Sequence, residues 1–215
     1  MKKFLIINLI SVSIILTWCT TSAPTNEACS LTESTGNSCS AETGLVTPTT
    51  TLAPLDVAKT ILQAIKNNDL PTLATFVGPQ GLRFSPYAYV NTGTDVVLTS
   101  GEVHNGLAIS RSYTWGVSDG SGEPIDLWIG QYFEKFIYDL DFLSAPEINE
   151  NKEIIRGNIV NNIFDVYSGD EIIEFYIPGV DPKYEGMDRR SLTLVLEKTD
   201  EKWYLIGIIH NQRTI

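Results

Sequence analysis

The spacing of apolar residues changes several times along this chain, and each change marks a boundary. Residues 4–16 form an uncharged, strongly apolar run. Residues 20–53 are rich in Thr, Ser, Pro, Glu and Gly and hold few large apolar side chains. Such a stretch cannot bury enough surface to offset the entropy of ordering it, so it reads as a tether. Beyond it, Ala58, Ile61, Leu62 and Ile65 recur at helical spacing after Pro54, a residue suited to a first helical turn. Asn67 and Asn68 end that helix. Asp69 is the expected N-cap of a second, short helix carrying Leu73, Phe76 and Val77, stopped by Gly78-Pro79. The two make a helical hairpin.

Residues 81–90 are aromatic and irregular, with Pro86 interrupting any strand. A short helix capped by Ser100 is predicted within 100–110, and residues 119–124 (DGSGEP) are a turn by composition. Ile125, Trp128, Ile129, Tyr132, Phe133, Phe136, Ile137 and Leu140 then give the strongest helical stripe of the chain. Gly130 weakens it locally, or marks a hand-over from strand to helix. From residue 154 the period becomes two, and four strands are predicted: 154–167, 171–177, 191–198 and 202–212. Ser168-Gly169-Asp170 and Thr199-Asp200-Glu201 read as tight hairpin connections, and residues 178–190 as a longer loop. Helices followed by an antiparallel meander predict an α+β fold: a helical hairpin and a further helix packed on a curved four-stranded antiparallel sheet.

That order resembles the nuclear transport factor two-like cone. So do the helix end at residues 64–73 (AIKNNDLPTL) and a last strand built like Lys202-Trp203-Tyr204-Leu205-Ile206. The segments at 113–116 (YTWG), 119–125 (DGSGEPI) and from Gly186-Met187-Asp188 to Ile209-His210 also resemble a group of uncharacterised bacterial lipoproteins. The resemblance implies a location and a fold and supplies no reaction, because that superfamily holds both enzymes and binding domains. It also implies a homodimer through the sheet face. Residues 203–209 (WYLIGII) are apolar on both faces, so both must be covered, one by helices and the other by a second subunit or by the irregular middle segment.

The leader sets the address. Lys2 and Lys3 precede the run at 4–16, which is far shorter than the roughly 20 residues of a membrane-spanning helix. It therefore reads as an export signal. Leu16-Thr17-Trp18-Cys19 resembles a lipobox, although Trp18 departs from the small residue normal there; Cys19 is then the lipidation site. Cleavage after Thr21-Ser22-Ala23 and an uncleaved anchor are the alternatives. The expected organisation is a signal peptide at 1–18, a tether at 19–53 and one α+β domain at 54–215. The protein would be a membrane-anchored lipoprotein at the cell envelope, or else secreted or periplasmic.

Removing residues 1–18 takes the positive count from 15 to 13 against 26 acids, a formal charge of 13 − 26 = −13. That argues against nucleic acid as a partner. Cys29 and Cys39, ten positions apart, could close a disulfide loop outside the cytoplasm. The domain itself holds no cysteine and the chain only two histidines. No thiol catalysis, metal or cofactor is expected there.

His210 is the sharpest catalytic candidate. Read by strict alternation, it shares a face with Tyr204, Ile206 and Ile208. Acids are plentiful (Asp126, Glu134, Asp139, Asp141, Asp165, Glu174, Asp188), and strand positions single out Glu174 and Asp165 as partners for His210 if either points inward. His104 sits in a polar loop. Asp188-Arg189-Arg190 could grip an anion or close a loop by ion pairs. Tyr87, Tyr113, Trp115, Trp128 and Tyr132 are pocket candidates for a small apolar ligand, unless they are core. The favoured function is a non-catalytic ligand-binding or protein-interaction module. The rival is a small acid–base enzyme of isomerase or dehydratase type using His210 and a carboxylate.

Overall fold

The structure is a computed structural model and describes residues 52–156 and 160–213. The chain divides into two units, Met1–Thr47 and Pro48–Ile215, and everything below concerns the second. The expected export signal, Cys19, the Cys29–Cys39 pair and most of the expected tether lie outside the described residues.

Helix α1 (Pro54–Lys66) starts with Pro at its first turn and buries Val57, Ala58, Ile61, Leu62 and Ile65 along one stripe. Asn67 caps it, and Asn68 leaves the helix at φ +53°, a left-handed conformation that Asn tolerates. Asp69 then accepts the Thr72 N–H and opens α2 (Leu70–Ala74), as its sequence predicts. Helix α3 (Ser100–His104) is capped by Thr99 rather than Ser100. Thr99 and Glu102 make a reciprocal capping box, while the Ser100 hydroxyl donates to the Ala74 carbonyl and ties α3 to α2.

The sheet has six strands, not four. Strands β1 (Leu82–Ser85) and β2 (Val96–Leu98) form one side of it. The others are β5 (Glu147–Glu150), β6 (Glu171–Ile177), β7 (Arg190–Thr199) and β8 (Lys202–Gln212), and the order is β2-β1-β8-β7-β6-β5. The β1–β8 pairing is parallel and the rest antiparallel, so the sheet is mixed. Pro86 interrupts β1 just after its last residue, as expected from its missing N–H. A separate two-stranded ribbon pairs β3 (Ser112–Val117) with β4 (Pro124–Trp128) across the predicted turn.

Three expectations fail for identifiable reasons. Of the predicted strand 154–167, the described residues, 154–156 and 160–167, are not a strand. Asn161 accepts the Ile163 N–H and Asn162 exchanges two hydrogen bonds with the Val90 backbone, so the local side chains start a helical turn, α5 (Ile163–Val166). The strand beside β6 is instead β5, earlier in the chain, and Ser168-Gly169-Asp170 joins α5 to β6 rather than two strands. The stripe from Ile125 to Leu140 is not one helix. It begins as β4, passes at Gly130 into a single turn, α4 (Ile129–Tyr132), and widens into a π-helical turn over Phe133–Ile137. A Cβ on Gly130 would stand 2.3 Å from the Trp128 ring, so glycine is what lets the indole fold back at this hand-over. Finally, β8 carries a bulge opposite Val195/Leu196. The extra residue flips the alternation. Leu205 and Ile208 lie in the main core, whereas Ile206 packs with Ile209 on the other side of the sheet.

The main core lies between one sheet face (Ile173, Phe175, Leu192, Leu194, Leu196, Leu205, Ile208) and α1, α2 and residues 129–142. A smaller core covers the opposite face. There Val90, Ile163 and Tyr167 close over Ile172, Val195 and Ile209.

Candidate functional site

His210 sits near the end of β8, opposite Leu192 of β7, and the bulge turns it toward the main core. Its side chain has no exposed surface. Phe136, on the π turn, meets the imidazole edge-to-face at 5.7 Å. Nδ1 lies 3.4 Å from the Pro86 carbonyl oxygen. Nε2 lies 3.4 Å from Oδ1 of Asp139. The other carboxylate oxygen of Asp139 accepts from Arg190 Nε at 2.7 Å. Asp139 Oδ1 and His210 Nε2 are both buried and make no hydrogen bond. Three ionisable groups from three elements thus converge at one end of the sheet. An imidazole flanked by a carboxylate that a guanidinium holds in place is an acid–base arrangement in outline. No reactant can touch the imidazole, because the packing buries it, although the Arg190 side chain stays 30% exposed.

The acid beside His210 is Asp139, not Glu174 or Asp165. Glu174 is on the opposite sheet face, where it accepts from Arg156 Nη1 at 2.6 and 2.8 Å and from Asn149. Arg156 also bonds Glu147 and lies 3.5 Å above the Tyr176 ring. Asp165 is exposed on α5. Sequence periodicity kept Asp139 on a regular helix; the π turn, ending at Tyr138 with φ −135° and ψ 51°, is what redirects it. The readable signal was an acid set between Tyr138 and Leu140 at the end of an apolar stripe.

His104 is exposed at the end of α3. Asp188 closes the loop before β7 by accepting the Val180 and Asp181 N–H groups, which hold its carboxyl below the ordinary value. Arg189 donates to the Arg156 carbonyl. Among the described residues no group of three or more His, Cys, Asp or Glu could hold a metal ion.

The five aromatic candidates part company. Trp115 and Tyr132 are fully buried and stacked at 3.8 Å with their planes 10° apart. Trp115 Nε1 donates to the Leu127 carbonyl. The Tyr132 hydroxyl has no partner, and burial pushes its pKa well above the usual phenol value. Tyr113 is half-buried beneath Arg111, and Trp128 is half-buried over Gly130. Tyr87 borders an open cleft.

That cleft is a groove of about 720 Å³. One wall is residues 87–89, directly after Pro86. Another is the β3–β4 connection, residues 117–122. The floor includes Asn211 and Gln212 at the end of β8. The Asp119 N–H donates to the Tyr87 hydroxyl at 3.1 Å, pinning the connection to the wall it faces. The His210 cluster lies next to the groove along the chain. Pro86 precedes its first wall, His210 precedes its floor, and Arg190 Nε reaches Gln212 Oε1 at 3.5 Å. Two smaller clefts, of about 220 and 20 Å³, adjoin it at Asn211. His210 borders none of the three.

No protein-family model matches the chain. No curated protein sequence matches it. Among solved structures it is similar to a protein from Xanthomonas campestris described as a calcium/calmodulin dependent protein kinase II association domain. Identity is 16%, the overlap covers 74% of this chain and 84% of the other, and the TM-score is 0.31. A likeness that small bears on neither fold nor function. What stands on this chain's own geometry is a mixed α+β domain with an open groove beside a His–Asp–Arg cluster whose imidazole is buried.

Proposed function

We propose that this chain is a binding module exported to the cell envelope, tethered through a lipid on Cys19, and that its α+β domain takes a ligand or partner in the groove between residues 87–89 and 117–122. One observation carries the choice of binding over catalysis. The single imidazole near an acid has no exposed surface, while the groove beside it is open and lies within the 300–1,000 Å³ typical of ligand sites. The address rests on the charged, short apolar leader and on the lipobox-like Leu16-Thr17-Trp18-Cys19. The nuclear transport factor two-like cone remains our reading of the fold's kinship, supported by a helical hairpin leading into a sheet that ends in Trp203-Tyr204-Leu205-Ile206.

The acid–base alternative keeps one supporting observation, the approach of Asp139 to His210. For it to hold, the cover formed by Pro86 and Phe136 must open to substrate.

Native mass spectrometry of protein purified from its own envelope tests the binding reading. A retained molecule should be lost in Ser121→Trp, which fills the groove from an exposed position, with thermal stability unchanged. Equal retention in the variant places binding elsewhere. Labelling with radioactive palmitate tests the anchor: incorporation should vanish in Cys19→Ala, and unchanged incorporation refutes lipidation there.

A further inference from the structure

The groove's lining selects a class of ligand. Its apolar surface comes from two tyrosines, Tyr87 and the 54% exposed Tyr89, together with Val117 and Val160. Its polar surface comes from two amide side chains, Asn211 and Gln212, and from the hydroxyls of Ser118 and Ser121. No Lys, Arg or His lines it, and Asp119 is its one acid. An anionic ligand would find no cation, in a chain that already carries −11. A wholly apolar ligand would leave the amides and hydroxyls it buries without partners, at a cost of about 1–3 kcal/mol each. What remains is a neutral molecule with flat C–H faces and many groups that both donate and accept.

We propose that the groove binds a neutral oligosaccharide; the proposal rests on the binding-module reading above. A pyranose ring presents an apolar C–H face that packs on an exposed aromatic ring, which Tyr89 offers. Its hydroxyls each donate and accept, and a planar amide does both through one side chain, so Asn211 and Gln212 match neighbouring hydroxyl pairs. Bare backbone supplies the rest. Gly120 and Gly122 stand at φ +86° and +71°, with open space where a Cβ would point, so a sugar can approach the main chain there. The geometry is preorganised, since Tyr87 holds the Asp119 N–H and the Ser118 N–H donates to the Glu123 carbonyl across the connection.

Saturation-transfer-difference NMR of the purified full chain with maltotriose, cellotriose and triacetylchitotriose tests this. At least one should give ring-proton signals that a sulfated heparin trisaccharide does not. Tyr89→Ala and Asn211→Ala should each weaken that saccharide by about tenfold or more, the worth of one packed ring or one well-placed hydrogen bond. Tyr89→Phe, which keeps the ring, should bind nearly as the wild type does. Absence of signal from every neutral saccharide overturns the proposal, as does binding that survives both alanine variants. The two levels separate cleanly. If no saccharide binds yet Ser121→Trp removes a natural retained molecule, the groove stands as a binding site and the saccharide assignment falls. If Ser121→Trp also leaves retention intact, both fall.

Discussion

Asp139 and Asp141 are two residues apart and meet opposite fates. Asp139 is nearly buried, with one oxygen on Arg190 and the other facing His210. A carboxylate that deep needs its guanidinium, because an unpaired buried charge is far costlier than a surface one. Asp141 is surface-exposed and accepts from three donors, the Tyr138 hydroxyl, Lys66 Nζ and the Ser144 hydroxyl. Together these hold its pKa at about 2, below the ordinary 3.8. The sign follows directly. The folded state favours the ionised form, so the stabilisation is complete above pH 3.8 and is lost as pH falls toward about 2. Burial first, and then the bond to Asp141, push the Tyr138 phenol up, and the Lys66–Asp141 pair ties the chain after the π turn to the end of α1. In Asp141→Asn, melting temperature should be lower at neutral pH and should decline less steeply between those two values. Parallel acid profiles for variant and wild type would show that the three donors contribute nothing to folding. Asp141 thereby anchors the segment that delivers Asp139 to its cluster.

At the scale of elements, the legible parts were those whose signals are local. Pro54, Asn67-Asn68 and Asp69 each act within one turn, and the helical hairpin is where they place it. The Thr199-Asp200-Glu201 connection is equally local. Thr199 pairs with Lys202 around two residues at φ +49° and +62°, the geometry of a two-residue primed turn. Such turns favour glycine, and Glu201 is neither glycine nor asparagine. Its ion pair with Lys198 is exposed and worth little. Glu201→Gly should therefore stabilise the protein by about 0.5–1 kcal/mol by chemical denaturation; a loss would mean that the Lys198 contact outweighs the backbone strain. The illegible parts were set by partners distant in sequence. Asn162 bonds the backbone of Val90 and turns a predicted strand into α5. The bulge in β8 moves His210 to the same face as Leu205, which no alternation rule read from one strand could show. The groove was illegible for the same reason: the sequence marks Tyr87 as a pocket candidate and residues 119–122 as part of a turn, but only tertiary structure brings residues 87–89, 117–122 and 211–212 together.

For the whole domain, the decisive question is what covers the second face of the sheet. The apolar character of residues 203–209 demanded cover on both sides. Helix α1, α2 and residues 129–142 supply one side. On the other, Ile163 and Tyr167 of the same chain, with Val90, enclose Ile172, Val195 and Ile209, each of them less than 5% exposed. Gly207 is part of that fit, since a Cβ there would stand 2.9 Å from the Tyr167 hydroxyl. Beyond this patch the same face turns polar, with Glu174 and Arg156 paired over Tyr176. A second subunit is thus not needed to bury the apolar residues, and an ion pair occupies the surface next to them. Purified protein should sediment as a monomer at micromolar concentration. Ile163→Ser should cost about 2–4 kcal/mol, the usual loss for truncating a buried aliphatic side chain and burying a hydroxyl in its place. It should also raise binding of an apolar dye, because the cover over Val195 and Ile209 loosens. A stable wild-type dimer that Glu174→Lys disrupts would show instead that the polar part of this face is the contact, and that α5 covers the sheet only as part of a larger interface.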